Sequence, residues 1–424
     1  MASQPERRGL FGLLGAVGVS LLGTRMSFLA LPWFVLSTTG SATQTGLVAA
    51  AELTPYVLVQ ALGGPVIDRV GAWRTSVVTD LGAAVFVGAI PLLHILGALS
   101  LDDLVVIVAV AGALRGAGDA ARDVLVPGVG ERAKTPLERS AGLYDGVNRC
   151  ASLIGAPAAG MLVEVTSALN VLALDAAAFG ASAVLVGLFV PRDAQPDAPE
   201  HPAGNPSYFA SLHEGFGYLR ADRLLLGIAA MVLVTNLLDQ AGSAVLIPVW
   251  AKQIAHSPVA LGLIGGAFSV GAVIGNFVTT LLGPRLNRRH TYAVGFLITG
   301  GPRYLALALA TSVSPILAVS VISALGAGGL NPIIGAVEYE RVPRHLQARV
   351  LGAVGATAWA GIPVGSLAGG ALTEMIGVRG ALGAVAAVYF VTTLSPFVFP
   401  AWREMDRHTA VESRNAAEVG AGVR

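Results

Sequence analysis

The sequence predicts an all-α membrane protein with twelve transmembrane helices arranged in two six-helix halves. Hydrophobic residues make up 54% of the 424 residues and charged residues 12%, about half the charged share of a soluble domain. Apolar runs of about 20 residues, the length that crosses a bilayer as a helix, recur along the whole chain. The alternative, a soluble enzyme rich in Ala and Gly, would have too few charges to cover a surface facing water.

The first apolar run follows the basic stretch "PERR" and continues to about Leu36. This run is longer than the apolar part of a signal peptide, so we predict a first span that is retained. Eleven further runs follow, and the element ends are set by charge, Gly and Pro. The predicted spans are 10–36, 45–67, 76–98, 103–126, 139–164, 168–190, 224–250, 259–283, 291–311, 315–337, 348–374 and 379–400.

One long polar segment, 191–222, separates the sixth and seventh spans. Its content of Pro and charged residues is typical of a linker, and a short surface helix is expected near Tyr208–Leu219. We therefore predict an N-terminal half at 1–190, a cytoplasmic linker at 191–222, a C-terminal half at 223–400 and a cytoplasmic tail at 401–424.

Lys and Arg are distributed unevenly between the two sides of the predicted spans. If the N-terminus is cytoplasmic, 20 of them lie in cytoplasmic segments and 2, Lys252 and Arg379, lie outside. This bias predicts a multi-pass protein of the cytoplasmic membrane with both termini in the cytoplasm.

Several function classes find no support in the sequence. Cys150 is the only cysteine, and the net charge of +1 gives no reason to expect nucleic-acid binding. A phosphate-binding loop, a metal-ligand spacing of His and Cys, and the motifs of membrane hydrolases are not present in the sequence. We therefore expect no enzyme activity, no cofactor and no metal.

Short motifs recur in the same order in both halves. "GPVIDR" at 64–69 matches "GPRLNR" at 283–288, and "RGAGDAARDVLVPGVGER" at 115–132 matches "LGAGGLNPIIGAVEYER" at 325–341. "GAPAAG" at 155–160 matches "GIPVGSLAGG" at 361–370, and Gly46 falls opposite Gly262. Ordered matches predict a six-plus-six duplication, which is typical of secondary transporters with a substrate site between the halves.

The loop "GGPVIDRVGAWR" at 63–74, between the second and third predicted spans, resembles the signature loop of the major facilitator superfamily. The resemblance covers the chain and implies that family's fold, a monomer, and a latch that holds the outward-open state. Gly64 is expected to allow close helix approach and Gly71 a tight turn. Asp68 can meet the N-terminus of a neighbouring helix. Arg69 and Arg74 can reach acids on adjacent helix ends, with Asp123 as the first candidate partner. Asn287 replaces the acid in the second copy. Alternatively, the charges only set topology. The expected latch residues are Gly64, Asp68, Arg69, Gly71, Arg74 and Asp123.

The fifth predicted span contains "GVNRCASLIGAPAAG", which resembles the helix-5 motif of exporters that exchange substrate for protons. Ala156 interrupts the usual Gly-Pro pair, and small-residue packing alone is the alternative. With "TGSATQTGLVAAAELTPYVL" and "GAGDAARDVLVP", this stretch is most similar to the macrolide-efflux and enterobactin-exporter branch of drug transporters. The motif residues are Gly146, Gly155, Pro157 and Gly160.

Ionisable residues inside the membrane indicate function. The spacing of Arg115–Asp119 and of Asp145–Arg149 puts each acid on the face of its arginine, which predicts a four-charge cluster between the fourth and fifth spans. One acid there either titrates in a proton-coupled cycle or belongs to a permanently ionised network. A second set comprises Arg25, Glu52 and Asp239, each about 24–26 Å from the inner face.

In that second set, Arg25 could pair with Glu52 or, across the halves, with Asp239, whereas Arg303 has no obvious acid at its depth. The proton-coupling candidates are Arg115, Asp119, Asp145, Arg149, Glu52, Asp239 and Arg25. The candidates for substrate contact are Trp33, Phe34, Tyr56, Asn236, Phe268, Asn331 and Trp359.

The resemblance and the charges together predict a secondary transporter that exports small hydrophobic or amphiphilic compounds by proton antiport with rocker-switch alternating access. Its expected partners are a small-molecule substrate, protons and the lipid bilayer. An importer, a uniporter or a lipid transporter on the same fold is the alternative, and a non-transporting receptor is a further one. Substrate identity and the choice between proton and sodium are left open by the residues.

Overall fold

The computed structural model describes residues 4–192, 208–282 and 286–406, and in these ranges the chain is helical, with no strand. The N-terminal half contains α1 (Gln4–Thr39), α2 (Ala42–Leu62), α3 (Ala72–Ile95), α4 (Leu101–Arg132), α5 (Leu137–Val165) and α6 (Ala168–Phe189). A short helix, Gly64–Val70, joins α2 to α3.

The C-terminal half begins with α7 (Arg223–Ala255) and α8 (Pro258–Leu282). Two pieces, Arg288–Thr299 and Gly301–Leu309, form α9, and α10 is Val313–Arg341. The helix Gln347–Thr393 bends at Gly377, whose φ is 72°, and this glycine divides it into α11 (347–376) and α12 (378–393). The helical membrane fold predicted from the sequence is confirmed.

Nine segments within the described residues are long and apolar enough to cross a membrane, counting α11 and α12 as one. The predicted number of twelve spans is not tested directly by this criterion. Several helices extend past their predicted ends; α1, for example, runs from Gln4 to Thr39 instead of 10–36. Hydropathy marks only the part of a helix in hydrocarbon, whereas backbone hydrogen bonding continues into the interface.

The turns alternate between two ends of the helix bundle. We call the end with the turns at 63–71, 133–136 and 342–346 the basic end, and the end with the turns at 40–41, 166–167, 256–257 and 377 the short-turn end. Serines start several helices; the Ser41 hydroxyl accepts a hydrogen bond from the Gln44 amide at 3.2 Å, and Ser167 caps α6 in the same way.

The apolar core is shared between the halves at one end only. A large cluster at the short-turn end includes residues of both halves, such as Leu36 and Trp250. Toward the basic end the core splits into two, one around Leu13 and Leu125 of the N-terminal half and one around Tyr292 and Val350 of the C-terminal half. The halves are therefore packed together at the short-turn end and separate at the basic end.

A surface helix, Tyr208–Ala221, precedes α7, close to the position predicted for it. It packs on α11, where Glu214 pairs with Arg349. The remainder of the predicted linker, 193–207, and most of the predicted tail, 407–424, lie outside the described residues.

Candidate functional site

Small residues allow the two halves to approach at two equivalent places. A Cβ at Gly46 of α2 would meet the carbonyl oxygen of Ser366 in α11, and Gly370 is 3.4 Å away. A Cβ at Gly262 of α8 would meet the carbonyl oxygen of Ala156 in α5 at 2.5 Å, with Gly160 at 3.1 Å. The two contacts correspond through the repeat, since "GAPAAG" and "GIPVGSLAGG" supply the partner backbone.

Polar contacts between the halves also lie in the short-turn part of the bundle. Glu374 of α11 accepts hydrogen bonds from the Ser41 hydroxyl at 2.5 Å and the Thr43 amide at 3.0 Å. Lys252 of α7 donates to the carbonyl oxygen of Leu36, at the end of α1. With the shared core, these contacts close the space between the halves at the short-turn end.

Beneath this closure lies a cavity of about 260 Å³, bounded by α1 and α2 on one side and α7 on the other. Its α7 wall includes Ser243 and Ala244, which belong to a π-helical turn, Gly242–Leu246, and such turns are frequent at functional sites. The wall is mixed apolar and polar. Its residues are Arg25, Phe28, Leu31, Pro32, Thr45, Val48, Ala49, Glu52, Leu53, Gln240, Ser243 and Ala244.

Glu52, in the cavity wall, forms a buried ion pair with Arg115 of α4. The Arg115 guanidinium also lies 4.9 Å from the centre of the Phe28 ring, and two of its nitrogens, Nε and Nη2, have no hydrogen-bond partner among the described residues. Glycines make the pair possible, because Gly112 of α4 packs against the carbonyl group of Glu52.

The pairing predicted from helical spacing was therefore wrong for Arg115. Its ion-pair partner is Glu52, and the carboxylate of Asp119 instead accepts from Arg122 at 2.6 Å and from the Tyr56 hydroxyl at 3.1 Å. Sequence spacing gives the face of one helix, whereas the close α2–α4 packing decides which acid reaches the guanidinium. The predicted pair of Glu52 with Arg25 was wrong for the same reason.

Arg122 of α4 is the centre of a second network that sequence reasoning underestimated. It is 1% exposed and donates to both carboxylate oxygens of Asp80 in α3, at 2.7 and 2.8 Å. Asp80 also accepts from the Ser182 hydroxyl of α6 at 2.7 Å. This network joins α3, α4 and α6, and an acid within the apolar run "VVTDLGAA" was the signal that could have revealed it.

Asp175 of α6 was also missed. It is 1% exposed, its Oδ2 accepts from the Ser27 hydroxyl at 2.5 Å, and its Oδ1 has no hydrogen-bond partner among the described residues. Asp175 is close enough to Arg115 for electrostatic attraction. Arg115 thus has two buried acids near it: Glu52, with which it forms an ion pair, and Asp175, which it does not contact directly.

Arg25 of α1 also lines the cavity, and its Nη2 lies 3.3 Å from the side-chain oxygen of Asn148 in α5. The predicted alternative pair with Asp239 was wrong as well. Asp239 accepts from the Tyr304 hydroxyl at 2.9 Å and from the Tyr389 hydroxyl at 3.4 Å. Phenols of the C-terminal half therefore take the place that we predicted for an arginine of the other half.

Arg303, for which no acid at its depth was expected, is in the electrostatic neighbourhood of Asp239. Its guanidinium lies 4.5 Å from the centre of the Phe268 ring. The C-terminal half thus has its own buried charge group, in α7, α9 and α12.

The predicted four-charge cluster between α4 and α5 does not form. Asp145 and Arg149 do make the expected ion pair at 2.6 Å, but their side chains are 58% and 40% exposed. The two α4 members of the predicted cluster, Arg115 and Asp119, instead contact Glu52 and Tyr56 of α2.

Within the described residues, the charged side chains of the latch loop have no side-chain partner in this conformation, whereas Trp73 of the same loop donates to the Val190 carbonyl oxygen at 3.0 Å. Asp68, Arg69 and Arg74 are exposed, and within the described ranges no ion pair or side-chain hydrogen bond is found for them. The expected partner, Asp123, instead accepts from the Tyr144 hydroxyl at 2.7 Å. Gly71 has φ 92°, as the predicted tight turn requires.

Two further details concern the first and second copies of the loop. A Cβ at Gly64 would meet nothing within 4 Å, so the predicted close helix approach there was wrong. In the second copy of the loop, Asn287 caps α9 by accepting from the His290 amide at 2.9 Å; residues 283–285 lie outside the described residues.

The helix-5 motif lies mostly at helix contacts. Gly155 packs against Arg25, Pro157 against Gly266 and Gly160 against Gly262. Gly146 is the exception, because a Cβ there would meet nothing within 4 Å. Three of the four motif positions therefore permit close packing around the cavity and between the halves.

None of the predicted substrate-contact residues is among the residues that line this cavity. Phe34 is 5% exposed and packs edge-on against His94, and Asn236 donates to the Ala358 carbonyl at 2.8 Å. The aromatic residue in the cavity wall is Phe28. The rotation of each helix about its own axis decides which aromatic side chain faces the cavity, and this rotation cannot be read from amino-acid composition. The other candidates, likewise absent from this wall, are Trp33, Tyr56, Phe268, Asn331 and Trp359.

Comparisons with known proteins agree with this architecture. The sequence profile described as Major Facilitator Superfamily matches residues 13–240 and 229–424. Proteins named multidrug efflux pump Tap are 28% identical in Mycobacterium tuberculosis, over 95% of this chain and 96% of theirs, and 26% identical in Mycolicibacterium fortuitum, over 95% and 98%.

Solved structures share the fold at low sequence identity. A mutant of the nucleoside transporter NupG superposes with a TM-score of 0.77 at 14% identity, covering 92% of this chain and 98% of that one. A bacterial homologue of the human lysosomal transporter Spinster, in an inward-facing and unoccupied conformation, gives 0.73 at 13% identity, covering 96% and 99%.

Proposed function

The chain belongs to the major facilitator superfamily, and we propose that it is a secondary transporter that exports small hydrophobic or amphiphilic compounds in exchange for protons. Family membership makes it a membrane transporter rather than an enzyme. The observation that carries the proposal is the cavity between the halves, closed at the short-turn end and bordered by the buried Glu52–Arg115 pair.

The cavity wall supports an amphiphilic substrate. Phe28, Leu31 and Leu53 provide apolar surface, whereas Arg25 and Gln240 offer hydrogen-bond donors. Such a wall favours molecules with a large apolar part and a few polar groups. The relatives named multidrug efflux pumps support export as the direction.

The arrangement around Arg115 supports proton coupling. Protonation of Glu52 would remove the charge that holds the guanidinium, and Arg115 could then turn toward Asp175, whose Oδ1 is without a hydrogen-bond partner among the described residues. An arginine with two alternative acids is a two-state element of the kind that couples a proton to a conformational change. Asp119, Asp145 and Asp239 stay as further candidates, and a permanently ionised network is the alternative.

We further propose that the basic end faces the cytoplasm, with both termini there, and that the protein works as a monomer. Under the positive-inside rule the basic end is cytoplasmic, and the present closure at the short-turn end would then be an inward-facing state. Within the described residues Asp68, Arg69 and Arg74 have no side-chain partner, and this fits the assignment, since the family's latch acts in the outward-open state.

The test is proton flux in proteoliposomes that contain a pH-sensitive dye, scanned with lipophilic cations, macrolides and siderophore-like compounds. We expect a compound-dependent proton leak that is lost in Glu52→Gln and retained in Glu164→Gln, an exposed carboxylate of α5. Proton flux that persists in Glu52→Gln would remove Glu52 from the coupling. Solute equilibration without any proton movement would favour a uniporter or lipid transporter on the same fold.

A further inference from the structure

A pocket at the basic end, outside the central cavity, is lined by cations. It has a volume of about 320 Å³ and lies between the start of α1 and the turn from α4 to α5. Arg7, Lys134 and Arg139 line it, and its described lining includes no carboxylate. Arg7 and Arg139 supply the positive charge that recognises a phosphate group.

The pocket continues into an apolar groove between α1 and α5. The groove has a volume of about 440 Å³ and shares Leu143 with the cationic pocket. Its floor is open because a Cβ at Gly142 or Gly146 would meet nothing within 4 Å. Cys150 and Ile154, both exposed, extend it along α5.

The groove faces away from the central cavity. Asn148, which contacts Arg25 in the cavity wall, lies on the opposite side of α5 from Cys150 and Ile154, given 100° per residue. Leu143 and Ile154 are separated by 11 positions, or about 16 Å of helix. That length matches the depth of one leaflet's hydrocarbon, about 15 Å.

We propose that this continuous site binds an anionic phospholipid of the leaflet at the basic end. The headgroup phosphate lies between Arg7 and Arg139, and one acyl chain follows the groove toward Ile154. A soluble phosphate compound would use the cations but leave the groove empty. Basic pockets beside transmembrane helices on the cytoplasmic side are typical sites for acidic lipid headgroups.

The test uses phosphatidylglycerol with a photoreactive diazirine in its acyl chain, added to the full-length protein in nanodiscs of phosphatidylcholine. We expect crosslinks on α5, displaced by unlabelled phosphatidylglycerol. Each arginine near an anionic headgroup contributes about fivefold in affinity. The double variant Arg7→Gln and Arg139→Gln should therefore bind phosphatidylglycerol about 30-fold more weakly, as read from the displacement of crosslinks. Arg220→Gln, at the same end but outside the pocket, is the matched control.

Gly142→Leu provides a second variant that does not touch the cations. Because the space beside Gly142 is open, the new side chain fits the fold and fills the groove, and the crosslinks on α5 should be lost. Equal displacement by phosphatidylcholine, or an unchanged double-arginine variant, would overturn the proposal. Displacement by glycerol phosphate alone would show a soluble-phosphate site instead of a lipid site.

Discussion

Gly46→Ala should shift the protein away from the conformation closed at the short-turn end. The added Cβ would meet the Ser366 carbonyl oxygen and lie 3.4 Å from Gly370. These are backbone atoms of α11 that cannot rotate away, so the helices must separate by roughly 1 Å to reach normal contact. Overpacking of this kind costs about 1–3 kcal/mol.

The cost applies to one conformation only. Alanine raises helix propensity in α2 by about 1 kcal/mol in every folded conformation, so that gain cancels from the equilibrium. An overpacking cost of 1–3 kcal/mol corresponds to a shift of about 5- to 150-fold in the ratio of closed to open short-turn end. Gly262→Ala, at the equivalent α8–α5 contact, should act in the same direction because the Ala156 carbonyl oxygen is 2.5 Å from its Cβ.

The assay is cysteine labelling in intact cells from the extracellular side. Gln240→Cys places a thiol in the cavity wall, and Cys150→Ser removes the native cysteine. A membrane-impermeant maleimide should label the Gly46→Ala protein faster than its parent. Gly180→Ala is the control, since a Cβ there meets nothing within 4 Å. Equal labelling of both glycine variants, with normal expression and melting temperature, would refute the argument that this contact holds the end closed.

Two further predictions concern charges. Arg122→Gln should lower the free energy of unfolding, measured by melts in detergent, by about 3–5 kcal/mol, because it leaves the carboxylate of Asp80 buried without its cation. Arg149→Gln, in an exposed pair, should lower it by only about 0–1 kcal/mol, and equal losses would contradict the argument that burial makes the Asp80–Arg122 pair costly to break. Asp68→Asn should slow transport turnover without weakening substrate binding, measured by flux and by equilibrium binding; turnover at the wild-type rate would mean that the loop charges only set topology.

The helical fold and the twofold arrangement were predictable because they depend on local signals. Apolar runs of spanning length mark the helices, and the offset between Gly46 and Gly262 marked two positions that proved to be equivalent contacts between the halves. Gly71 was predictable in the same way, since its positive φ follows from the need for a tight turn.

Partners of the buried charges were not predictable from spacing along one helix. Whether Arg115 meets Asp119 or Glu52 depends on how closely α2 approaches α4, which is set by Gly112 and Gly116 at a spacing of four residues. Asp80 and Asp175 were visible as acids within apolar runs. A search for small-residue spacings facing each buried charge would have linked these acids to their helices.

The location of the charges relative to the halves limits how a transport cycle can work. Every ion pair named above lies within one half or its adjoining helix, whereas the halves meet through glycine contacts, backbone carbonyls and a few hydrogen bonds. Among the described residues, separation at the short-turn end would therefore break none of these buried ion pairs, which is what a rigid-body movement of each half would require.

A signal from a proton or a substrate must then act where a charged group of one half faces the other half. Arg25 and Glu52 satisfy this condition, because they share a cavity with Gln240 and with Ser243, which belongs to the π-helical turn of α7. Asp80 and Arg122 do not, since they are enclosed by α3, α4 and α6 of their own half. Glu52 is therefore the acid whose neutralisation should change transport, whereas the Asp80–Arg122 pair should affect stability.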